Sequence, residues 1–347
     1  MARRPAPKPI NLALQGGGSH GAFTWGVLDR LLADDRLKIE AISGTSAGAM
    51  NAVALADGFV RGGPEGAREQ LDSFWKSVSK SARFSPVRRS LVDRLLGSWS
   101  LDRSPGYHMF DALTRVVSPY QINPLNMNPL RDLIAESVDF DCVRSCQAIR
   151  LFISATNVET GRVKVFHGHQ LTADMVMASA CLPNLFQAVE IDGVPYWDGG
   201  YMGNPSLFPF FYGSECSDVV IVQINPIERK GVPKTASEIQ NRINEIAFNS
   251  SLLKELRAVD FVTRLVEDGR LDASEYRRVR MHLIHNQDTL IPLGASSKSN
   301  AEWKFLTHLR DIGRNTAEAW LEANFEQIGK RDTVDVRAMF QGVDSAD

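Results

Sequence analysis

A serine between two glycines is the feature of this sequence with the clearest chemical potential. Gly44, Thr45, Ser46, Ala47 and Gly48 form a G-x-S-x-G motif that follows an apolar run and precedes an alanine-rich stretch. On a sharp turn from strand to helix, such a serine exposes its hydroxyl, and the glycines let neighbouring backbone approach it. The following helix directs its N-terminal amides at the site. Alone, the motif is equally compatible with a nucleophile and with an ordinary turn.

A second glycine cluster lies nearer the N-terminus. Residues 10–14 form an apolar run, Gly16, Gly17 and Gly18 follow it, and apolar residues then recur at helical spacing. A strand, a glycine loop and a helix offer free amides to an anion, either a nucleotide phosphate or the oxyanion of an acyl-transfer intermediate. The loop lacks the Lys-Ser/Thr ending of a P-loop, which argues against a nucleotide phosphate. Glu40 lies about where a dinucleotide-binding site has its acidic ribose ligand, but the serine motif follows it almost at once. This favours an oxyanion hole beside a nucleophile over a nucleotide site or a turn without a ligand.

A third motif places a carboxylate before two glycines, at Asp198, Gly199 and Gly200. A carboxylate in such a turn can act as the general base for a serine hydroxyl. The alternative is an Asp-Gly hairpin turn, which is the commonest use of that dipeptide. From spacing alone, the hairpin turn is favoured.

Taken together, the three motifs resemble the patatin-like phospholipase family of the bacterial type. The resemblance covers about residues 10–205 and rests on the order Gly-Gly-Gly-x-x-Gly, Gly-Thr-Ser-Ala-Gly and Asp-Gly-Gly. It implies a Ser-Asp dyad, with Ser46 as nucleophile and Asp198 as base. It also implies an oxyanion hole built from the amides of Gly16–Gly18, to which we add the amide of Ala47, and a reaction without a metal or other cofactor.

The function implied is that of a serine acyl hydrolase that cleaves carboxylic esters of lipids through an acyl-enzyme. Phospholipase A, lysophospholipase and carboxylesterase activities all fit. One alternative is a hydrolase of another acyl polymer or a thioester that uses the same dyad. Another is a non-catalytic module that binds lipid or nucleotide. The expected partner is therefore a lipid or other ester substrate, and peripheral membrane contact is left open.

The sequence departs from the family pattern at two positions. His20 stands where the glycine loop commonly has Arg or Lys, and Gln15 stands where Asp or Ser is common. A histidine beside the oxyanion loop would be charged only below its usual pKa of about 6.5, so any help from His20 would depend on pH. The alternative is that His20 is a packing residue at the start of the helix.

Composition limits the remaining possibilities. Of 347 residues, 44% are hydrophobic and 23% charged, and the net charge of −2 gives no electrostatic case for nucleic acid binding. The four cysteines show neither zinc-site nor disulfide spacing, which indicates a reducing compartment. The basic, proline-rich N-terminus lacks the apolar core of a signal peptide, and no run of about 18 apolar residues is present. We therefore expect a cytoplasmic protein, with no prediction of its oligomeric state.

The order of apolar and polar segments predicts an α/β protein with three layers, α/β/α, a mainly parallel central sheet and a C-terminal helical extension. We expect a flexible tail over 1–9, a catalytic domain over 10–225 and a mainly helical extension over 226–347 packed on it. We also predict strands at 149–157, 163–166, 218–223 and 281–285, of which the last lies at a sheet edge. Helices are predicted at 129–136, 237–268 and 299–327.

Two segments allow two interpretations each. Residues 61–105 contain a helix around Phe74 and an amphipathic patch from Leu91 to Trp99, which form either a cap over the site or a surface excursion. The aromatic stretch Pro205–Tyr212 either lines an acyl pocket or meets lipid, or belongs to the core.

Overall fold

The chain forms one mixed sheet with helices on both sides. The computed structural model describes residues 6–85, 87–90, 93, 96–272 and 275–342. The sheet has eight strands in the order β5-β6-β3-β2-β1-β7-β8, and β4 pairs with β3 outside this path. The strands are β1 (Lys8–Leu14), β2 (Leu37–Gly44), β3 (Arg150–Asn157), β4 (Val163–His167), β5 (Val189–Ile191), β6 (Val194–Asp198), β7 (Asp218–Val222) and β8 (Arg280–Ile284).

The middle of the sheet is parallel, and its antiparallel strands lie towards one edge. β1 pairs in parallel with β2 and β7, which pair in parallel with β3 and β8 respectively. β4, β5 and β6 form the antiparallel part. Leu14 pairs with Gly44, so the parallel strands β1 and β2 end side by side. The glycine loop and the serine motif therefore begin at the same edge of the sheet.

Helices cover both faces of the sheet. Their bounds are α1 (Gly21–Leu32), α2 (Ala47–Ser81), α3 (Pro105–Val116), α4 (Pro119–Ile122), α5 (Pro129–Ser137), α6 (Phe140–Ser145), α7 (Ala173–Ser179), α8 (Phe208–Gly213), α9 (Ala236–Glu267), α10 (Gln287–Leu290), α11 (Trp303–Asn324) and α12 (Val336–Gln341). α2 is interrupted at Gly62 and Gly63, where the backbone leaves the helical region.

The alternation of side chains along β1 separates the two faces. Leu12 and Leu14 belong to a core cluster with residues of α1, α2 and α11, whereas Ala13 belongs to a second cluster with residues of α8 and α9. The sheet thus lies between two helical layers, and the predicted α/β/α class with a mainly parallel sheet is confirmed.

The region after residue 225 is part of this architecture. β8 forms one edge of the sheet, and α11 packs on α1. A Cβ on Gly26 would lie 2.7 Å from the carbonyl carbon of Arg310, and one on Gly313 would lie 3.0 Å from the backbone nitrogen of Val27. Both glycines are therefore needed for the two helices to approach so closely. The boundary at 225 stays a prediction, because strands on both sides of it form the same sheet.

Most predicted elements agree with the structure, and their ends differ by a few residues. The strand expected at 281–285 is the edge strand β8, and the helix expected at 237–268 is α9. The N-terminal tail was placed too far along the chain, because Lys8 and Pro9 belong to β1; residues 1–5 lie outside the described residues. Most of the amphipathic patch, including Leu91, Val92 and Leu95, also lies outside them, so its role as a cap stays a prediction.

Candidate active site

Ser46 occupies a strained turn between β2 and α2. Its φ of 53° and ψ of −120° lie in a region that residues with a side chain rarely adopt. The backbone N–H of Ser46 donates a hydrogen bond to Ser179 Oγ at 2.9 Å, which helps to hold the turn. The side chain is half-buried at the start of α2. This is the geometry expected of the G-x-S-x-G motif.

The motif glycines make room for this turn. A Cβ on Gly16 would lie 2.6 Å from Ser46 Cβ, and one on Gly44 would lie 2.6 Å from the carbonyl oxygen of Gly48. A side chain on Gly48 would collide with the end of β1 at Leu14. The ends of β1 and β2 can therefore meet only if these positions are glycine.

Asp198 ends β6 and lies next to Ser46. β6 pairs with β3 such that Asp198 is opposite Ala155. The carboxylate is 1% exposed and accepts a hydrogen bond from the backbone N–H of Gly200 at 2.7 Å. It also lies near enough to the Ser46 hydroxyl for that group to lower its pKa. The structure therefore brings together the two residues that the separate sequence motifs suggested. The Asp-Gly-Gly segment does not form the tip of a hairpin; it begins a short 3₁₀ turn, Gly199–Tyr201.

Burial controls the protonation of this acid. Removal from water raises the pKa of Asp198 to about 7, against the opposing effects of the Gly200 N–H and the Ser46 hydroxyl. A carboxylate with a pKa near neutrality is well suited to accept and return a proton near neutral pH. The backbone beside the carboxylate is closely packed, since a Cβ on Gly200 would lie 3.0 Å from Phe248 Cζ.

The glycine loop presents backbone amides beside Ser46, but Gly16 is not one of the available donors. Its N–H donates to Asn204 Oδ1 at 2.7 Å, so the expectation that Gly16 contributes to an oxyanion hole is wrong in this structure. The amides of Gly17, Gly18 and Ala47 donate to no acceptor within the described part of the chain. Gly18 has a φ of 58°, which turns the loop into the helical segment that follows.

Gln15 holds this loop from beneath. Fully buried, it accepts hydrogen bonds from the backbone N–H groups of Ile224 and Asn225 at 3.0 and 2.9 Å. Its amide nitrogen donates to Asn249 Oδ1 at 3.2 Å and to the carbonyl oxygen of Asn204 at 3.3 Å. The residue that departs from the family pattern thus connects the end of β1 to three other segments.

His20 is a packing residue, and its interpretation as a pH-dependent cation is wrong. Its ring is 2% exposed, and Nε2 shares a hydrogen bond with Ser297 Oγ at 2.7 Å. Burial, together with the charges of Lys298 and Arg229, lowers the pKa of His20 to about 3. The imidazole is therefore neutral at physiological pH.

A cation does lie near the loop, but it comes from the C-terminal part of the chain. A Cβ on Gly18 would lie 2.5 Å from the carbonyl oxygen of Lys298. Lys298 Nζ donates to Asn225 Oδ1 at 2.8 Å, and Asn225 Nδ2 donates to the carbonyl oxygen of Gly16 at 2.6 Å. Burial lowers the pKa of Lys298. Asn204, Asn225 and Lys298 were not identified from the sequence, because they belong to no local motif.

The aromatic stretch after the candidate dyad divides between its two interpretations. Leu207 and Phe210 are buried in the core cluster beneath α9, whereas Tyr212 is exposed. Glu255 of α9 accepts hydrogen bonds from the backbone N–H groups of Leu207 and Phe208 at 2.7 and 2.8 Å. This stretch is therefore mainly core, with its end at the surface.

Comparison with known proteins identifies the class of this α/β fold. A family model described as patatin-like phospholipase matches residues 12–211, which contain the glycine loop, the serine motif and Asp198. The match covers more than half of the chain. The chain belongs to the patatin-like phospholipase family, whose members are lipid acyl hydrolases. No curated protein sequence matches it.

Solved structures show more distant similarity. VipD from Legionella pneumophila is 14% identical, with a TM-score of 0.40, over 92% of this chain and 67% of VipD. ExoU from the type III secretion system of Pseudomonas aeruginosa, solved in complex with SpcU, is 15% identical, with a TM-score of 0.38. That match covers 92% of this chain but only 53% of ExoU, so the chain spans about half the length of ExoU. Among the described helices, none has the length and apolar character required to cross a bilayer.

Proposed function

We propose that this protein hydrolyses carboxylic esters of lipids through a Ser46–Asp198 dyad. The observation that carries the proposal is the buried Asp198 carboxylate, which lies near enough to the Ser46 hydroxyl for that group to lower its pKa. Beside Ser46 are amides that donate to no acceptor among the described residues. Asp198 accepts the hydroxyl proton as Ser46 Oγ attacks the ester carbonyl carbon. The tetrahedral intermediate then breaks its bond to the alcohol, which leaves with the proton from Asp198.

Hydrolysis of the acyl-enzyme uses the same two groups. Asp198 removes a proton from a water molecule, whose oxygen attacks the acyl carbonyl carbon. Collapse of this second intermediate breaks the bond to Ser46 Oγ, which recovers its proton from Asp198, and a fatty acid is released. A single carboxylate thus serves as base and acid in both halves of the reaction, for which a pKa of about 7 is suited.

The amides of Gly17, Gly18 and Ala47 form the proposed oxyanion hole. They lie at the starts of a 3₁₀ turn and of α2, where backbone N–H groups lack partners within the helix. Donors that are fixed before the reaction stabilise a developing negative charge without reorganisation. Gly16 has a different part in this scheme: its amide anchors the loop to Asn204, and its lack of a side chain lets the loop approach Ser46.

A panel of esters tests the proposal. Diacyl phospholipids, lysophospholipids and activated esters of short and long acyl chains are incubated with the wild type, Ser46→Ala and the matched control Ser81→Ala, which changes an exposed serine at the other end of α2. We expect release of fatty acid from at least one lipid ester by the wild type and the control, and none above background by Ser46→Ala. An acyl polymer and an acyl thioester are included in the same panel. Hydrolysis of these two alone would change the substrate class, and hydrolysis of no compound would leave only a binding role.

A further inference from the structure

A continuous stretch of the chain exposes an unusual number of apolar side chains. Val116 is 84% exposed, Leu125 80%, and Met109 and Met127 68% each. α3, which contains Met109 and Val116, buries none of its residues. We call the following set the apolar surface: Met109, Phe110, Leu113, Val116, Tyr120, Ile122, Leu125 and Met127.

The apolar residues of α3 lie on one side of the helix. Met109, Leu113 and Val116 follow each other at intervals of four and three residues, which places them on a single face. The opposite side carries the ion pair between Asp111 and Arg115. α3 is therefore amphipathic, but the face that would normally pack on a core is turned to solvent. Exposed patches of this kind mark sites of interaction.

The segment is attached to the protein at both ends. Before α3, the backbone N–H of Leu101 donates to Ser296 Oγ at 3.0 Å. After it, the Tyr120 hydroxyl accepts a hydrogen bond from the N–H of Ala188 at 3.1 Å, and Gln187 Nε2 donates to the carbonyl oxygen of Asn123 at 2.7 Å. The apolar surface thus has a fixed place on the molecule.

The second attachment leads to the candidate dyad. The thiol of Cys181 donates to the carbonyl oxygen of Gln187 at 3.1 Å, and the carbonyl oxygen of Cys181 accepts from the N–H of Asp198 at 2.8 Å. Gln187, which holds the apolar surface, is therefore connected to Asp198 through Cys181 and two hydrogen bonds. A partner bound at this surface would be linked to Asp198 through this short chain of contacts.

Basic side chains flank the chain that leads into α3. Residues 76–103 contain seven Lys and Arg residues and only two Asp residues, in a protein with a net charge of −2. A groove with a volume of about 440 Å³, which we call the basic groove, is lined by five exposed basic side chains. They are Lys76, Lys80, Arg83, Arg88 and Lys304. None of these five forms an ion pair with a residue that the structure describes. The acid in this groove, Glu302, pairs with Arg89.

We propose that the apolar surface and the basic groove dock this protein on the surface of a bilayer that contains anionic phospholipids. An amphipathic helix lies in such an interface with its apolar face among the acyl chains, and lysine and arginine side chains beside it meet the anionic headgroups. Lys80 of the basic groove and Met127 of the apolar surface line one cavity, so the two features are neighbours. A protein partner would require complementary packing but would give no reason for a neighbouring groove of cations that have no ion-pair partner among the described residues. The consequence for catalysis, delivery of lipid to Ser46 and Asp198, rests on the proposed function, whereas the docking itself does not.

Vesicle binding tests the proposal. The full chain carrying Ser46→Ala, which leaves the lipid intact, is floated with vesicles of phosphatidylcholine alone or of equal parts phosphatidylcholine and phosphatidylglycerol. A first variant adds Met109→Asn, Leu113→Asn and Val116→Asn; a second adds Lys76→Gln, Lys80→Gln and Arg83→Gln. The matched control instead replaces three exposed apolar side chains elsewhere with asparagine: Val60, Val232 and Phe261. Circular dichroism checks that all variants fold.

We expect binding to the anionic vesicles to weaken about tenfold or more in the first variant. In the second variant it should weaken by about fivefold for each charge removed, and the control should bind like its parent. Equal binding of the first variant and the control would overturn the proposal, as would the absence of binding by the parent chain. A first variant that binds vesicles normally but turns a dimer into a monomer would assign the surface to self-association and also overturn it.

A soluble, short-chain ester separates this inference from the proposed function. In the background with Ser46 intact, the first variant should hydrolyse that ester at the wild-type rate but hydrolyse vesicle phospholipid more slowly. If the protein hydrolyses the soluble ester in a reaction that depends on Ser46 but does not bind vesicles, the docking proposal is wrong and the dyad stands. If it binds vesicles but hydrolyses no ester, the dyad is wrong and the docking proposal stands.

Discussion

The glycine loop and the segment over 105–127 use their polar and apolar groups in opposite ways. In the loop, Gln15 and Gly16 are buried and linked by hydrogen bonds to Asn204 and Asn225 from later parts of the chain. The segment over 105–127 is fixed at its ends, and its apolar side chains face solvent. The amides beside Ser46 must be held rigidly, because they stabilise an oxyanion only if they are already oriented towards it before the reaction. A surface that meets a fluid bilayer requires exposed apolar area and no such precision.

The largest effect should come from the dyad. Ser46→Ala and Asp198→Asn should each lower kcat by on the order of 10³-fold or more, and the double variant should be little worse than either, because the two residues act as a unit. Asp192→Asn, an exposed acid in the hairpin before β6, is the matched control and should keep wild-type activity. Steady-state kinetics with a soluble ester provide the measurement, and losses that multiply in the double variant would contradict a shared role.

The next largest effect on kcat should come from the side chains that hold the glycine loop in place. Asn225→Ala removes the hydrogen bond to the carbonyl oxygen of Gly16 and the contact with Lys298. We expect kcat to fall by about 10- to 100-fold with little change in KM, because the oxyanion donors lose their alignment while the substrate site remains. Asn324→Ala, which also removes a side-chain hydrogen bond but in α11, should leave kcat unchanged. A change confined to KM would mean that Asn225 acts on substrate binding and not on the donors.

The pH dependence of kcat/KM should follow Asp198. Because only the ionised carboxylate accepts the Ser46 proton, kcat/KM should fall about tenfold for each pH unit below the pKa of about 7 and level off above it. His20→Gln should leave this profile in place, since the imidazole with a pKa of about 3 is neutral throughout. A profile that shifts or flattens in His20→Gln would show that His20 titrates beside the loop after all.

The smallest effect should be on stability. Asp198 has a folded-state pKa of about 7, above its ordinary value of 3.8, so its contribution to stability is present below pH ~4 and is lost as the pH rises to about 7. Asp198→Asn should therefore increase the free energy of unfolding by about 1–2 kcal/mol at pH 8 and by less at pH 5. Urea unfolding at both pH values is the measurement. A variant that is less stable than the wild type at pH 8 would contradict the burial of a costly charge at this position.

The sequence predicted those parts of the site that local motifs encode. Ser46 and the glycine loop each follow a strand directly, so their place at the ends of β1 and β2 follows from the order of elements. Asp198 was tied to them only through the family resemblance, because spacing alone favoured a hairpin turn. The predicted strands and long helices agree with the structure because their apolar patterns are long and regular.

The rest of the site depends on contacts that span the chain. Asn225 and Lys298 reach the loop from segments that carry no motif, and Gly16 loses its role as a donor only because Asn204 accepts from it. The sequence left both interpretations of His20 open, because burial, which sets its pKa, cannot be deduced from its neighbours in sequence. α3 was overlooked although Ser104-Pro105 is a typical helix start and apolar residues follow at helical spacing.

Covalent labelling tests the central claim most directly. The wild type, Ser46→Ala, Asp198→Asn and the control Ser81→Ala are treated with a fluorophosphonate, and the modified residue is located by mass spectrometry of peptides. We predict one adduct on Ser46 in the wild type and in the control, none in Ser46→Ala, and labelling slowed by on the order of 10³-fold in Asp198→Asn. Labelling of another serine, or of Ser46 at the wild-type rate in Asp198→Asn, would contradict the dyad.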